Sequence, residues 1–128
     1  MGKQLYLISK DRQISTSPNL PGDSEIMDMA WSPSGDYIAA LVRNDSSSAK
    51  GSLLLYSVHD NRFIDYCIES NNVAAVRLPL WSDNSQFVYF RLNNTNLEET
   101  PILVDVNGNK VYTVTDVLEP IAWMNSER

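Results

Sequence analysis

His59 is the single histidine of the chain and Cys67 its single cysteine. A His-assisted nucleophile or a His-based metal site would rest on that one imidazole. His59-Asp60 falls in a polar stretch between two strand-like runs, so we read it as a solvated turn. Cys67 has Asp65 and Glu69 as neighbours, not the nearby cation that a reactive thiolate needs. One cysteine permits no intrachain disulfide, no thiolate zinc cage and no redox pair. Asp105, Asn107, Asn109 and Asp116 match positions 1, 3, 5 and 12 of a calcium loop. The sixth position, where that loop needs glycine for its sharp turn, is Lys110, and a hairpin turn is the better reading. Serines are plentiful, but none sits in a G-x-S-x-G elbow. Gly35 and Gly108 are isolated turn glycines, and no phosphate-cradling loop is present. Asn44-Asp45-Ser46 and Asn93-Asn94-Thr95 fit the glycosylation pattern, as Asn/Ser-rich segments do by composition. These residues assign no catalytic group, no cofactor and no metal.

Composition narrows the partners. The chain has 128 residues, with 10 Lys+Arg against 16 Asp+Glu and a net charge of −6. A sequence-independent nucleic-acid binder needs a basic face to displace phosphate counterions, and an anionic membrane surface selects the same. Neither nucleic acid nor membrane insertion is expected, since no apolar run approaches the length of a span. The first ten residues lack the apolar core of a signal peptide. An extracytoplasmic location would require a leader outside this sequence.

The elements that position these residues repeat. Trp31, Trp81 and Trp123 each follow an apolar residue or two and precede a short polar turn, at intervals of 50 and 42 residues. Leu5–Ile8, Leu55–Val58 and Leu103–Val106 each lead into a polar turn and then a basic residue, Arg12, Arg62 or Lys110, at intervals of 50 and 48. Two landmarks with a period of roughly 40–50 point to blade-type β-repeats. The basic residues read as turn charges that protect exposed strand edges. Between landmarks lie short runs rich in β-branched and aromatic residues, bounded by Gly, Pro, Asn, Asp or Ser. Tyr37–Val42 is apolar on both faces, as a strand between two layers must be. Phe63–Glu69 alternates, with Ile64, Tyr66 and Ile68 on one face. Asn107-Gly108 predicts a type I′ hairpin with positive φ at both residues. No sustained helical period occurs, so essentially no helix is expected.

Ile26-Met27-Asp28-Met29-Ala30-Trp31-Ser32-Pro33-Ser34-Gly35-Asp36-Tyr37-Ile38-Ala39 resembles the W-S-P-D-G signature of the WD-repeat-like β-propeller blades of TolB-like proteins. The same signature occurs in the propeller of prolyl-oligopeptidase-family enzymes. Leu78-Pro79-Leu80-Trp81-Ser82-Asp83-Asn84-Ser85-Gln86-Phe87-Val88-Tyr89-Phe90 is similar to a second copy without the Pro and the Gly, and Glu119-Pro120-Ile121-Ala122-Trp123 to the entry of a third. The resemblance implies a propeller used for protein or peptide recognition and no catalysis.

The expected fold is all-β: a partial propeller of about three four-stranded antiparallel blade units in one domain. Strands c and d of a first blade occupy residues 3–17, complete blades occupy 25–69 and 73–115, and an opening strand occupies 118–123. The polar segments Asn44–Gly51 and Asn93–Pro101 are expected to be equivalent mobile loops between strands b and c. The three tryptophans are the expected repeat anchors, packed between neighbouring sheets, with Gly35, Asn107 and Gly108 in turns. Such a run leaves apolar faces at its ends, which mark interfaces. The expected role is thus a non-enzymatic binding or scaffold module that needs a homo-oligomer or protein partner to complete its ring. The alternatives are the accessory propeller of a larger prolyl-oligopeptidase-like hydrolase, or a subunit that only completes another protein's ring.

Overall fold

A computed structural model describes residues 3–20, 22, 24–44, 50–70, 79–93 and 99–113 of the chain. These residues are all-β, with ten strands in three antiparallel sheets. β1 (Tyr6–Ile8) and β2 (Ile14–Thr16) form a hairpin. β3 (Glu25–Trp31), β4 (Tyr37–Arg43), β5 (Gly51–Ser57) and β6 (Arg62–Ser70) form a first four-stranded meander. β7 (Leu80–Trp81), β8 (Phe87–Asn93), β9 (Glu99–Asp105) and β10 (Lys110–Thr113) repeat that order in a second. The expected opening strand 118–123, with Trp123, lies outside the described residues, as do 73–78.

Side-chain alternation explains the stacking. In β4, Ile38, Ala40 and Val42 point to one side, and Ala39 and Leu41 to the other; all are buried. Ile38 and Tyr56 pack against Leu5 and Leu7 of the hairpin, while Ala40, Val42 and Leu54 pack against Leu20. On the opposite side Ala39, Leu41, Leu53 and Leu55 meet Trp81, Val88, Phe90, Ile102 and Val104 of the second sheet. The first sheet is thus a middle layer, which is why β4 and β5 are apolar on both faces. β6 is half-exposed, with Ile68 buried and Asp65, Cys67 and Glu69 open.

Three local expectations are corrected. The segment Asn93–Pro101 is not a loop throughout: β8 runs to Asn93 and β9 begins at Glu99, paired with each other at that end. Asn44 and Lys50 close the β4–β5 connection by a backbone hydrogen bond, and 45–49 and 94–98 lie outside the described residues. The Asn107-Gly108 turn is not type I′. Four residues separate Asp105 from its partner Lys110, and the left-handed residue is Asn109, at φ 54°. Gly108 serves close approach instead: its N–H donates to Asp105 Oδ1 at 3.0 Å, and a Cβ there would lie 2.6 Å from the carboxylate. Asn61, at φ 50°, holds the same position just before β6, and Arg12, at φ 61°, is the left-handed residue just before Gln13, which closes the β1–β2 turn on Ser9. Arg12 is therefore equivalent to Asn61 and Asn109, not to the strand-opening Arg62 and Lys110.

Candidate functional site

Trp31 ends β3 opposite Ile38, and Trp81 ends β7 opposite Val88. Each leads into the same five-residue corner. Ser32 N–H donates to Tyr37 O at 2.8 Å, and Ser82 N–H to Phe87 O at 2.9 Å. Ser32 Oγ accepts the Tyr37 N–H at 3.0 Å, and Ser82 Oγ accepts that of Phe87 at 3.0 Å. Ser34 Oγ and Asn84 Oδ1 accept the next N–H groups, of Asp36 and Gln86. Gly35 has φ 79° and Ser85 φ 60°. The copy without Pro and Gly therefore builds the same corner, Asn84 replacing the Ser34 hydroxyl.

Ser85 accepts the left-handed conformation, which a side chain disfavours, for a tertiary reason. Its Oγ accepts the Ser34 N–H of the neighbouring corner at 2.8 Å. The Trp81 indole completes the junction: Nε1 donates to Ala30 O at 3.0 Å, and the ring stacks on Tyr37 with centroids 6.2 Å apart. An indole N–H buried without an acceptor would cost the desolvation of that group. Neither Tyr37, Ala30 nor Ser85 stood out in the sequence as a contact; only the 50-residue frame pointed to them.

The two tryptophans share a strand position but not an environment. Trp81 is 7% exposed and Trp31 52%, so the expectation of equivalent burial is corrected. Trp81 is covered because a complete β3–β4 pair stands before it. Among the described residues, the two-stranded β1–β2 hairpin stands before Trp31; it packs on Ile38, Tyr56 and Ile26 but leaves Met29 and Trp31 at the other end of β3 exposed. Met29, opposite Ala40, is exposed there as well. Tyr6, Ile8 and Ile14 form the exposed outer face of the hairpin.

This surface is apolar. At the end of β3 away from Trp31, Arg43 pairs with Glu25, holding that carboxyl below its ordinary value by hydrogen bond and charge. Asp28 is turned back on the Met29 N–H beside a bulge between Ile26 and Asp28. His59 lies exposed in the β5–β6 turn, and Cys67 is free and exposed on β6. Among the described residues, His59, Cys67 and acidic side chains form no cluster that could hold a metal ion. Between the sheets, burial pushes the Tyr66 phenol up, and its hydroxyl has no hydrogen-bond partner among the described residues. A scan against protein-family models returns no match, and a search of the curated proteins finds none similar to this chain.

Proposed function

We propose that the chain is a non-catalytic protein- or peptide-binding scaffold module, built from WD-repeat-like propeller blades of the TolB-like type, whose ring a partner or further copies complete. One observation carries the reading: a junction formed fully at Trp81 is left half-built at Trp31, one repeat earlier in the chain. A blade packs both faces against neighbours, and an exposed apolar face on a blade is the normal mark of an interface. The outer face of the β1–β2 hairpin carries Tyr6, Ile8 and Ile14, all exposed.

Sedimentation velocity and native mass spectrometry over a range of concentrations test the reading. Stable association, with itself or with a co-purifying protein, is the expected result. A soluble monomer that unfolds cooperatively, engages no protein and masks none of this face would replace the propeller reading with a self-contained β-sandwich.

A further inference from the structure

We infer that residues 118–123 of the same chain dock on the outer face of the second sheet, where the Trp123 indole donates to the Leu80 carbonyl and stacks on the Phe87 ring. The inference rests on the repeat that underlies the binding-module reading and names what closes this sheet. Two observations carry it: a face buried beyond what the described clusters account for, and an internal template for its occupant.

Val88 and Phe90 of β8 point into the core shared with the first sheet, so by alternation Phe87 and Tyr89 point the other way. Leu80 and Leu103 stand opposite Tyr89 and share that face. Tyr89 is only 8% exposed there, yet it belongs to none of the clusters that the described residues form. The first sheet lies on the opposite side, and Leu5, Leu7 and Leu20 lie beyond the first sheet. None of Leu80, Phe87 and Tyr89 is without a partner. A tyrosine on a sheet face is buried this far beneath a second layer, not on a solvated face. Burial within a single chain has to come from that chain. The cover is narrow, because Tyr112, across from Leu103 on β10, is still 44% exposed.

The template is the junction at Trp81. That indole donates to Ala30 O and stacks on Tyr37, the first residue of β4. Leu80 and Phe87 hold those two places in the second sheet: Leu80 immediately precedes the corner tryptophan, and Phe87 opens β8. The chain supplies a third tryptophan in the same frame, Ile121-Ala122-Trp123, at a matching distance. Trp81 follows Ser70, the last residue of the first sheet, by 11 residues, and Trp123 follows Thr113, the last of the second, by 10. Leu118, Ile121 and Trp123 supply the apolar area that such a cover needs. The second sheet is thus closed by its own chain, and the apolar surface left to a partner is the one at Met29 and Trp31.

Indole N–H hydrogen exchange, followed by NMR on the full chain, reads the three tryptophans separately, with Trp31→Phe and Trp123→Phe assigning the signals. The Trp81 and Trp123 N–H groups are expected to exchange about tenfold or more slowly than that of the open Trp31. Phe87→Leu, which removes the ring, speeds exchange at Trp123 and leaves Trp81 as it was. The same change is expected to lower the urea midpoint about twice as far, or more, in the parent as in Trp123→Ala, because the two side chains share one contact. A Trp123 N–H as fast as that of Trp31 overturns the dock, as does a Phe87→Leu effect that is the same with and without Trp123. Protection of Trp123 that disappears on dilution while circular dichroism is unchanged also overturns it, since the segment would then sit on a second copy. If Trp123 is open and the chain still binds a protein, the dock fails and the binding-module reading stands. A protected Trp123 in a chain that engages no protein keeps the dock and sinks that reading.

Discussion

Among single residues, one side-chain type does two jobs set by its surroundings. Trp81→Ala removes a buried indole, its stacking on Tyr37 and its bond to Ala30, and is expected to cost about 3–5 kcal/mol in urea denaturation. Trp31→Ala, at a half-exposed position, is expected to cost about 1 kcal/mol or less in the isolated chain. Equal costs would mean that the two junctions are equally filled. Tyr66 offers a change of opposite sign. Its buried hydroxyl is desolvated without a described partner, so Tyr66→Phe should leave stability unchanged or raise it by up to about 1 kcal/mol. A clear fall in melting temperature would reveal a hydrogen bond to that hydroxyl.

Among the elements, the corners fix the angle between consecutive strands, and their backbone decides which substitutions they tolerate. Gly35 sits at φ 79°, and a methyl group added at its Cα would meet nothing within 4 Å. Gly35→Ala is therefore a test of conformation alone, and about 1 kcal/mol is the expected loss. Ser85→Gly relieves the same conformation but gives up the bond to Ser34. Its expected effect is close to zero, and thermal unfolding of the two variants side by side measures the difference. The β3 edge is tied to β4 by the pair Glu25–Arg43. Because the folded carboxyl lies below the ordinary carboxylate value of about 4.3, the pair supports stability above that value. The support is lost as pH falls through the folded pKa. Glu25→Gln should flatten that part of the acid limb in pH-dependent denaturation and leave the slope at neutral and alkaline pH unaltered.

Across the molecule, the two four-stranded sheets share one core, so neither face of the first sheet exists apart from its neighbours. Tryptophan fluorescence and far-ultraviolet circular dichroism are expected to report a single coincident urea transition. Trp81→Ala, cutting into the shared core, is expected to separate the two probes. Coincident transitions in that variant would show that the remaining contacts of Val88, Phe90, Ile102 and Val104 suffice to couple the sheets.

Among the described residues, the strands, their antiparallel order and the spacing of the Trp31 and Trp81 corners were legible in the order of residues alone, because they follow from short-range rules. Alternation of apolar residues selects a strand face, and Ser, Asn and Gly at fixed offsets close turns. The two apolar faces of β4 likewise marked it as a middle layer. Everything that depends on a neighbour lay beyond those rules. The left-handed residue of the last hairpin is Asn109 and not Gly108, since loop length and the Asp105 carboxylate, not dipeptide preference, select that turn. Ser85 stands where the first corner has glycine because a hydrogen bond reaches it from the other sheet. Trp31 and Trp81 occupy the same local frame, yet one is buried and the other open. Burial belongs to a pair of surfaces, and it took the packed sheets to show that the β1–β2 hairpin reaches Ile26 of β3 but not Met29 and Trp31.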